Sequence, residues 1–466
     1  MKQSTVGLYK TENCIYPGKV PFRPSKKYPE ISNEDISDES NEIYEAVREA
    51  FHIMGYDAEN YGEQNWNPLG EFIKEGDTVL LKPNMVHHNN PTGLGEQCLY
   101  TQPSVVAAII DYCIIALNGT GRIIVGDAPV KSCDFERLIR ESGYQDMVQY
   151  YIDRGINIDL LDFRIKDHDD SADGIIVNLD ELSRFSGKES ANQEYRVTCY
   201  NPQYMKENHH GSTHRYKIHR EVLNADVIIN IPKPKCHRKA GLTASMKNLI
   251  GVNCNKEFLP HHTVGSVEQG GDEYLRSNAA KMLRSRILDK RNQAIDEKKT
   301  AKAAALKVFD KLTSALSKIG NDGFYEGSWY GNHTICKTIA DINLIVENAD
   351  KEGVIKDEAQ RKMLVVADMV ICGEKEGPLS PSPKEVGIIG VSDDMYAFDE
   401  AVCLLMGFDP KKVPTFDEAK ELIKCEEWYI ASNSEALNGK KYSDLEQSLL
   451  YRFEPSSGWK GHIELL

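Results

Sequence analysis

Four short runs of Val, Ile and Leu constrain this chain most: residues 77–81 (DTVLL), 122–125 (RIIV), 226–231 (DVIINI) and 364–372 (LVVADMVIC). None shows the polar alternation of a half-exposed strand. A strand apolar on both sides must be covered on both sides. The segments between them have helical period. Asn41 is placed to cap a helix carrying Ile43, Val47, Ala50, Phe51 and Met54, stopped by Gly55. Thr101 is placed to cap the helix through PSVVAAIIDYCIIAL, which ends at Asn118-Gly119; Asp134 is placed to cap a short one closed by Gly143. Residues 388–391 read as a last core strand. A helix bearing Phe398, Val402 and Leu405 follows Asp393-Asp394 and stops at Gly407. The alternation predicts an α/β fold, with a mostly parallel sheet flanked by helices.

Two stretches break the rhythm. Residues 157–220 hold short β-like pieces between polar loops and are expected to form a β-rich excursion. Residues 272–330 are expected to form a helical insertion. Up to residue 319 this stretch is rich in Ala, Lys, Leu and Arg, contains no Pro, and reads as one or two surface helices interrupted near 296–299. The strand pattern resumes after both, so residues 1–466 are expected to be a single unit carrying two additions. Residues 334–346 read as an amphipathic helix. Beyond about residue 410 the pattern shows only surface helix and tail.

A formal charge of −15 argues against non-specific nucleic-acid binding, which needs a basic face. The N-terminus has no apolar signal segment, and the longest apolar stretch, 105–117, contains Asp111 and is too short to span a bilayer. The 11 cysteines include no CxxC pair. The expectation is a cytoplasmic protein with reduced thiols, no membrane or nucleic-acid partner and no iron–sulfur cluster. The sequence sets no oligomeric state.

Ligands of open parallel sheets bind beyond the carboxyl ends of the strands. Here those ends are expected at Lys82-Pro83-Asn84, Gly126-Asp127, Pro232-Lys233-Pro234-Lys235 and Gly373-Glu374. The densest segment is 230–262. It carries Lys233, Lys235, Arg238, Lys239, Lys247 and Lys256 against Glu257 alone. A positive field inside an acidic chain focuses an anion. Residues 240–250 are read as a helix whose N-terminus faces that anion, with Thr243 and Lys247 on one face. The expected ligand-binding residues are Lys82, Asn84, Asp127, Lys233, Lys235, Thr243, Asn248 and Glu374; the expected catalytic residues are His237 and Lys247. His237 suits acid–base chemistry, because nearby cations lower its pKa and keep it neutral. The competing use of His237, His261 and His262 is as ligands of a divalent metal, together with Asp127 or Glu374. Glu374, Glu376, Asp368 and Asp399 are expected to pair with lysines. Cys236, beside His237 on extended chain, points the other way. No GxxxxGK[ST] or GxGxxG is present.

The motifs KPNMV (82–86), GDAP (126–129), ADVIINIPKPKCHRKAGLTASMKNLIG (225–251) with the following His262, GNHTICKTIADIN (331–343), GEKEGPLSPSP (373–383) and MGFD (406–409) resemble those of the DUF362 family. That family is a group of prokaryotic proteins with no established activity. The resemblance covers most of the chain and implies, through genomic association alone, a link to surface polysaccharide metabolism. Some relatives carry a ferredoxin-like module whose closely spaced cysteines this chain lacks. A fainter similarity, to the lactate racemase family, rests on the order His237, Lys247, His262. It implies a proton-transfer base, an anchor for anion or cofactor, and a metal ligand in turn.

The combined expectation is an isomerase- or racemase-like enzyme moving a proton on a small anionic metabolite, a hydroxy-acid or sugar acid. The alternative is a non-catalytic binder or carrier of an anionic metabolite or metal. A third class, a scaffold, would use the helices of residues 272–319.

Overall fold

The computed structural model describes residues 3–31, 36–187, 193–317, 324–425, 427–448 and 450–465. The strands in chain order are β1 (Gln3–Lys10), β2 (Thr78–Pro83), β3 (Arg122–Asp127), β4 (Ile158–Asp162), β5 (Gly174–Asn178), β6 (Tyr195–Arg196), β7 (His209–His210), β8 (Thr213–His219), β9 (Val227–Ile231), β10 (Lys235–His237), β11 (Gly241–Thr243), β12 (His262–Thr263), β13 (Lys362–Glu376), β14 (Ser380–Ser392) and β15 (Glu427–Ser432). The main sheet runs β15-β1-β14-β13-β9-β2-β3-β4. β13, β9, β2, β3 and β4 are parallel neighbours, and β15 is parallel to β1. β14 is antiparallel to both β13 and β1. The fold is α/β with a largely parallel central sheet.

The unalternating runs have the expected cause. Leu80, Ile124, Ile228 and Val365 belong to one apolar cluster. Their chain neighbours Val79, Leu81, Ile123, Val125, Ile229, Leu364 and Val366 belong to another. Helices Glu42–Ile53 and Pro103–Leu117 pack into the second cluster, and helices Thr334–Asn348 and Met395–Leu405 into the first. Asn41, Asp134 and Asp394 cap their helices through side-chain oxygens.

Several expectations change. Thr101 caps nothing: its hydroxyl accepts the Asn84 N–H (2.9 Å) and donates to the Ile231 carbonyl (2.7 Å), tying the ends of β2 and β9. Residues 240–250 do not form one helix. β10 and β11 make a hairpin, Gly241 takes a left-handed φ of +78°, and only Ser245–Asn248 is helical before a 3-10 turn at Leu249–Val252. The hairpin prevails because β10 finds a partner in β13 at Lys235↔Gly373. Gly373-Glu374 is not a strand end, because β13 continues to Glu376 and turns through Gly377 into β14. The tail is more than surface: β15 extends the sheet, and Trp459 and Ile463 are fully buried.

The excursion divides. β4 joins the main sheet, β5-β8-β7 form a small antiparallel sheet, and β6 pairs with β12. Its residues 188–192 lie outside the described residues. In the insertion, helices Ala279–Asp296 and Thr300–Ser317 break where expected and are joined by an Arg284–Asp310 ion pair (3.1 Å); residues 318–323 lie outside the described residues.

Candidate functional site

The ends of β2, β3 and β9 meet in a buried polar floor. Lys82 near the end of β2 is fully buried and pairs with Asp127, the last residue of β3 (2.7 Å). The second Asp127 oxygen accepts the Met85 N–H (2.8 Å). Gly251 lies against this pair. A Cβ there would stand 1.9 Å from Asp127 Oδ1 and 2.8 Å from Lys82 Nζ, so only glycine fits. Asn248 donates to the Lys82 carbonyl (3.0 Å) and to Asn230 Oδ1 (2.8 Å). Asp399 accepts the Ser245 and Met246 N–H groups (2.7 and 2.9 Å) and the Ser245 hydroxyl (2.5 Å). Lys247 is therefore held between anchored neighbours on both sides.

Above this floor lies a cavity of about 470 Å³. Lys247, Lys256, Lys239 and Arg238 bring positive charge to it; Asp127 and Glu326 bring negative charge. Asn84, Thr198 and Thr243 add neutral polar groups, and Val86, Val130, Val197, Ile250 and Leu379 add apolar wall. Val197 to Tyr200 come from the excursion, and Glu326 and Ser328 from the end of the insertion. Both departures from the sheet rhythm thus supply walls. Burial, with the charges of Lys256 and Lys82, lowers Lys247 to about 7. Burial lowers Lys256 and Lys239 to about 8, with Lys82 adding to the effect at Lys256. With Asp127 engaged by Lys82, the side-chain charge left around the cavity is mainly positive.

Two histidines line the cavity with opposite hydrogen-bond polarity. His237 Nδ1 accepts the backbone N–H groups of Lys239 (3.1 Å) and Ala240 (3.0 Å). A nitrogen that accepts twice carries no proton, so neutral His237 holds its proton on Nε2. His261 Nδ1 lies 2.7 Å from the Leu259 carbonyl, which can only accept. Its proton therefore sits on Nδ1, and Nε2 keeps a free lone pair. Burial and neighbouring lysines, Lys247 foremost for His237 and Lys239 for His261, hold both rings well below the ordinary imidazole pKa.

Of the residues singled out in the sequence, His237, Lys247, Asn84, Asp127, Thr243 and Asn248 line this one cavity, with Lys82 beneath it. Thr243 arrives on β11 rather than on a helix, and the Ser245 and Met246 N–H groups of the short helix that follows are taken by Asp399. Lys235 does not line the cavity but donates to Asn84 Oδ1 and orients that amide. Lys233 lies apart, fully buried between Asp368 (3.0 Å) and the Tyr16 hydroxyl (2.6 Å). Glu374 accepts the Glu454 N–H (3.0 Å) and faces Lys384 (3.8 Å) away from the cavity. Asp399 is a helix cap rather than a lysine partner, and Glu376 pairs with Arg238 (3.5 Å). His262 sits behind Lys239, whose ammonium is 3.4 Å from its Nδ1. Among the described residues no three His, Cys, Asp or Glu side chains group as a metal set. Sequence reasoning named His261 only as an alternative metal ligand, and Lys239 and Lys256 only as charges of the basic segment; none of the three was named as a ligand-binding or catalytic residue. Glu326 and Thr198 carried no signal, since only the fold brings them there.

Comparison with known proteins agrees with the motifs. The model of the family described as "Domain of unknown function (DUF362)" matches residues 79–186 and 175–404. The match spans β2 to the helix Met395–Leu405 and includes every residue of the polar floor; residues 406–409 fall just beyond it. The "Thylakoid-associated protein sll1697" of Synechocystis sp. (strain ATCC 27184 / PCC 6803 / Kazusa) is 22% identical over 354 residues, which is 76% of this chain and 70% of that protein. Neither match is to a lactate racemase. Among the described residues no helix is long and apolar enough to cross a membrane. By the extent of the family match, this chain belongs to the DUF362 family.

Proposed function

We propose that the protein is an enzyme that moves a proton on a small anionic metabolite, a hydroxy-acid or sugar acid, held in the cavity above Lys82 and Asp127. The observation that carries this reading is the pair of neutral imidazoles of opposite tautomer in one lysine-lined cavity. Proton transfer at a carbon needs a base with a free lone pair and a donor for the oxygen where charge builds up. His261 Nε2 is suited to the first role and His237 Nε2–H to the second. The base therefore moves from His237, the residue the sequence favoured, to His261. Lys256 and Lys239 balance the anion, and Asn84 and Thr243 orient it.

The test is hydrogen exchange in D₂O, with a panel of short hydroxy-acids and sugar acids followed by NMR. The reading expects deuterium to enter at one carbon of at least one acid. His261→Ala should slow that exchange by about 10²–10⁴-fold while binding changes less than about tenfold. Tight binding of an acid with no exchange would instead favour a carrier of the anion. A cytoplasmic site of action and a role in surface polysaccharide metabolism belong to the same proposal. The relative named as thylakoid-associated makes fractionation of host cells a necessary companion measurement.

A further inference from the structure

We propose that Lys247 is a Schiff-base lysine: its amine condenses with the carbonyl of a small 2-oxo acid in the cavity, and His261 then moves a proton at the neighbouring carbon. This rests on the proton-transfer reading above and changes its substrate class, setting plain hydroxy-acids aside for sugar acids and other small acids that carry a ketone beside the carboxylate.

The lysines in and around the cavity differ in what their ammonium groups touch. Lys82 pairs with Asp127, and Lys233 with Asp368. Lys235 is taken by Asn84, and Lys239 by Thr198, the Glu326 carbonyl and His262. Lys256 reaches the carbonyls of Ile250 and Asn253, both at 3.4 Å. Lys131, also in the cavity wall, is exposed and lies over the Tyr200 ring (4.9 Å). Lys247 differs from all of these. Its Nζ has no hydrogen bond or ion pair among the described residues, yet its side chain lines the cavity and its backbone neighbours are fixed by Asp399 and Asn248. A second unused group lies in the same wall: Thr243 Oγ1 is buried without a hydrogen-bond partner among the described residues. A structural lysine would have found a carboxylate. An amine carried on an anchored stretch of backbone, left unpaired and placed among other cations is the environment of a nucleophile. Burial, helped by the neighbouring charges of Lys256 and Lys82, favours its neutral form near neutral pH.

The step balances with groups on hand. The Lys247 ammonium gives one proton to His261 Nε2. The free amine forms a C–N bond to the ketone carbon as the C=O π pair moves to oxygen, and that oxygen takes a second proton from nitrogen. His261 returns its proton to this hydroxyl, the C–O bond breaks, water leaves, and an iminium remains. His261 Nε2 is then unprotonated again and removes a proton from the carbon next to the iminium, whose nitrogen takes up the electron pair. Lys256 holds the carboxylate, and Thr243 Oγ1 is free to bond the acid's oxygens.

The experiment treats the full-length protein with pyruvate and sodium borohydride, then measures intact mass and maps the modified peptide. The proposal expects one reduced pyruvate per chain, on Lys247, with the yield falling at least about tenfold in Lys247→Arg. Lys256→Met keeps the nucleophile and removes a neighbouring cation, so it should move the pH midpoint of adduct formation upward. No adduct, adducts spread over surface lysines, an adduct that survives Lys247→Arg, or an unmoved midpoint would each overturn it. Deuterium exchange on a hydroxy-acid without any adduct would discard the Schiff base and leave the proton-transfer reading standing. An adduct on Lys247 with no deuterium entering its neighbouring carbon would leave the condensation standing and overturn the His261 step, and with it the proton-transfer reading.

Discussion

Gly251 shows how much one residue without a side chain can decide. It lets the turn Leu249–Val252 lie against Lys82 and Asp127, and its carbonyl accepts the Ala128 N–H (2.8 Å). A methyl at 251 would overlap the carboxylate, so the buried ion pair would have to open or the turn move. Gly251→Ala is expected to destabilise the protein by about 2–4 kcal/mol, since separating a buried pair leaves an uncompensated charge. Gly62→Ala, with a φ of +85° and open space around it, should cost only about 1 kcal/mol. Urea denaturation of both variants checks the difference, and equal costs would mean the floor is not under this constraint. The residues of the floor were legible in the sequence, because Lys82 and Asp127 end apolar runs whose burial was plain. The base was not. Which imidazole accepts and which donates is set by the backbone of Lys239 and Ala240 at one ring and by the Leu259 carbonyl at the other. Those hydrogen bonds exist only once the loops are built.

At the level of elements, the sequence located strands and helices where the apolar pattern is local, and failed where an element depends on a distant partner. The helix cap at Asn41, the break between the two insertion helices and the helix after Asp394 all rest on residues within a turn of one another. The β10–β11 hairpin does not. Its residues KCHRKAGLT have no strong period, and the conformation is held by β13 on one side and by the tail on the other. Trp459 Nε1 donates to the Arg238 carbonyl (2.9 Å), and a Cβ on Gly241 would lie 2.9 Å from Ile463 and 3.2 Å from Trp459. A tail read as surface thus clamps the loop that carries His237. Trp459→Ala is expected to cost about 3–5 kcal/mol, as for other large aromatics removed from a core. It should also weaken binding of any anion in the cavity, because Arg238 and Lys239 sit on the clamped loop. Urea denaturation and a binding titration on one preparation test this. Lost stability with unchanged affinity would separate the clamp from the site.

For the whole molecule, the tension is between an acidic chain of net charge −15 and a core that buries lysines. Lys235 and Lys247 are lowered to about 7, and Lys239 and Lys256 to about 8, from a starting value of 10.5, mainly by burial. Between those values and 10.5 the unfolded chain holds protons on these lysines that the folded chain has released, so stability rises with pH across that window. Buried carboxyls act lower down. Asp399 and Glu273 are raised to about 7 and Asp341 to about 6 by burial, so their cost grows with pH only up to that point. Above about pH 10 tyrosines of the unfolded chain ionise, while those in the fold resist; burial lifts Tyr9 to about 12. The ligand-free protein should therefore gain thermal stability from pH 7 to a maximum at about pH 9–10 and lose it beyond. Lys247→Met should reduce the gain, because it deletes one of the groups that titrate. A bound anion reverses the balance, since it stabilises the charged ammonium groups, so pyruvate should raise Tm more at pH 6.5 than at pH 9. Thermal unfolding across this range, with and without pyruvate, reads both effects. A flat or falling Tm between pH 7 and 9 would show that these lysines remain charged in the folded protein, with cavity water or bound ions stabilising them.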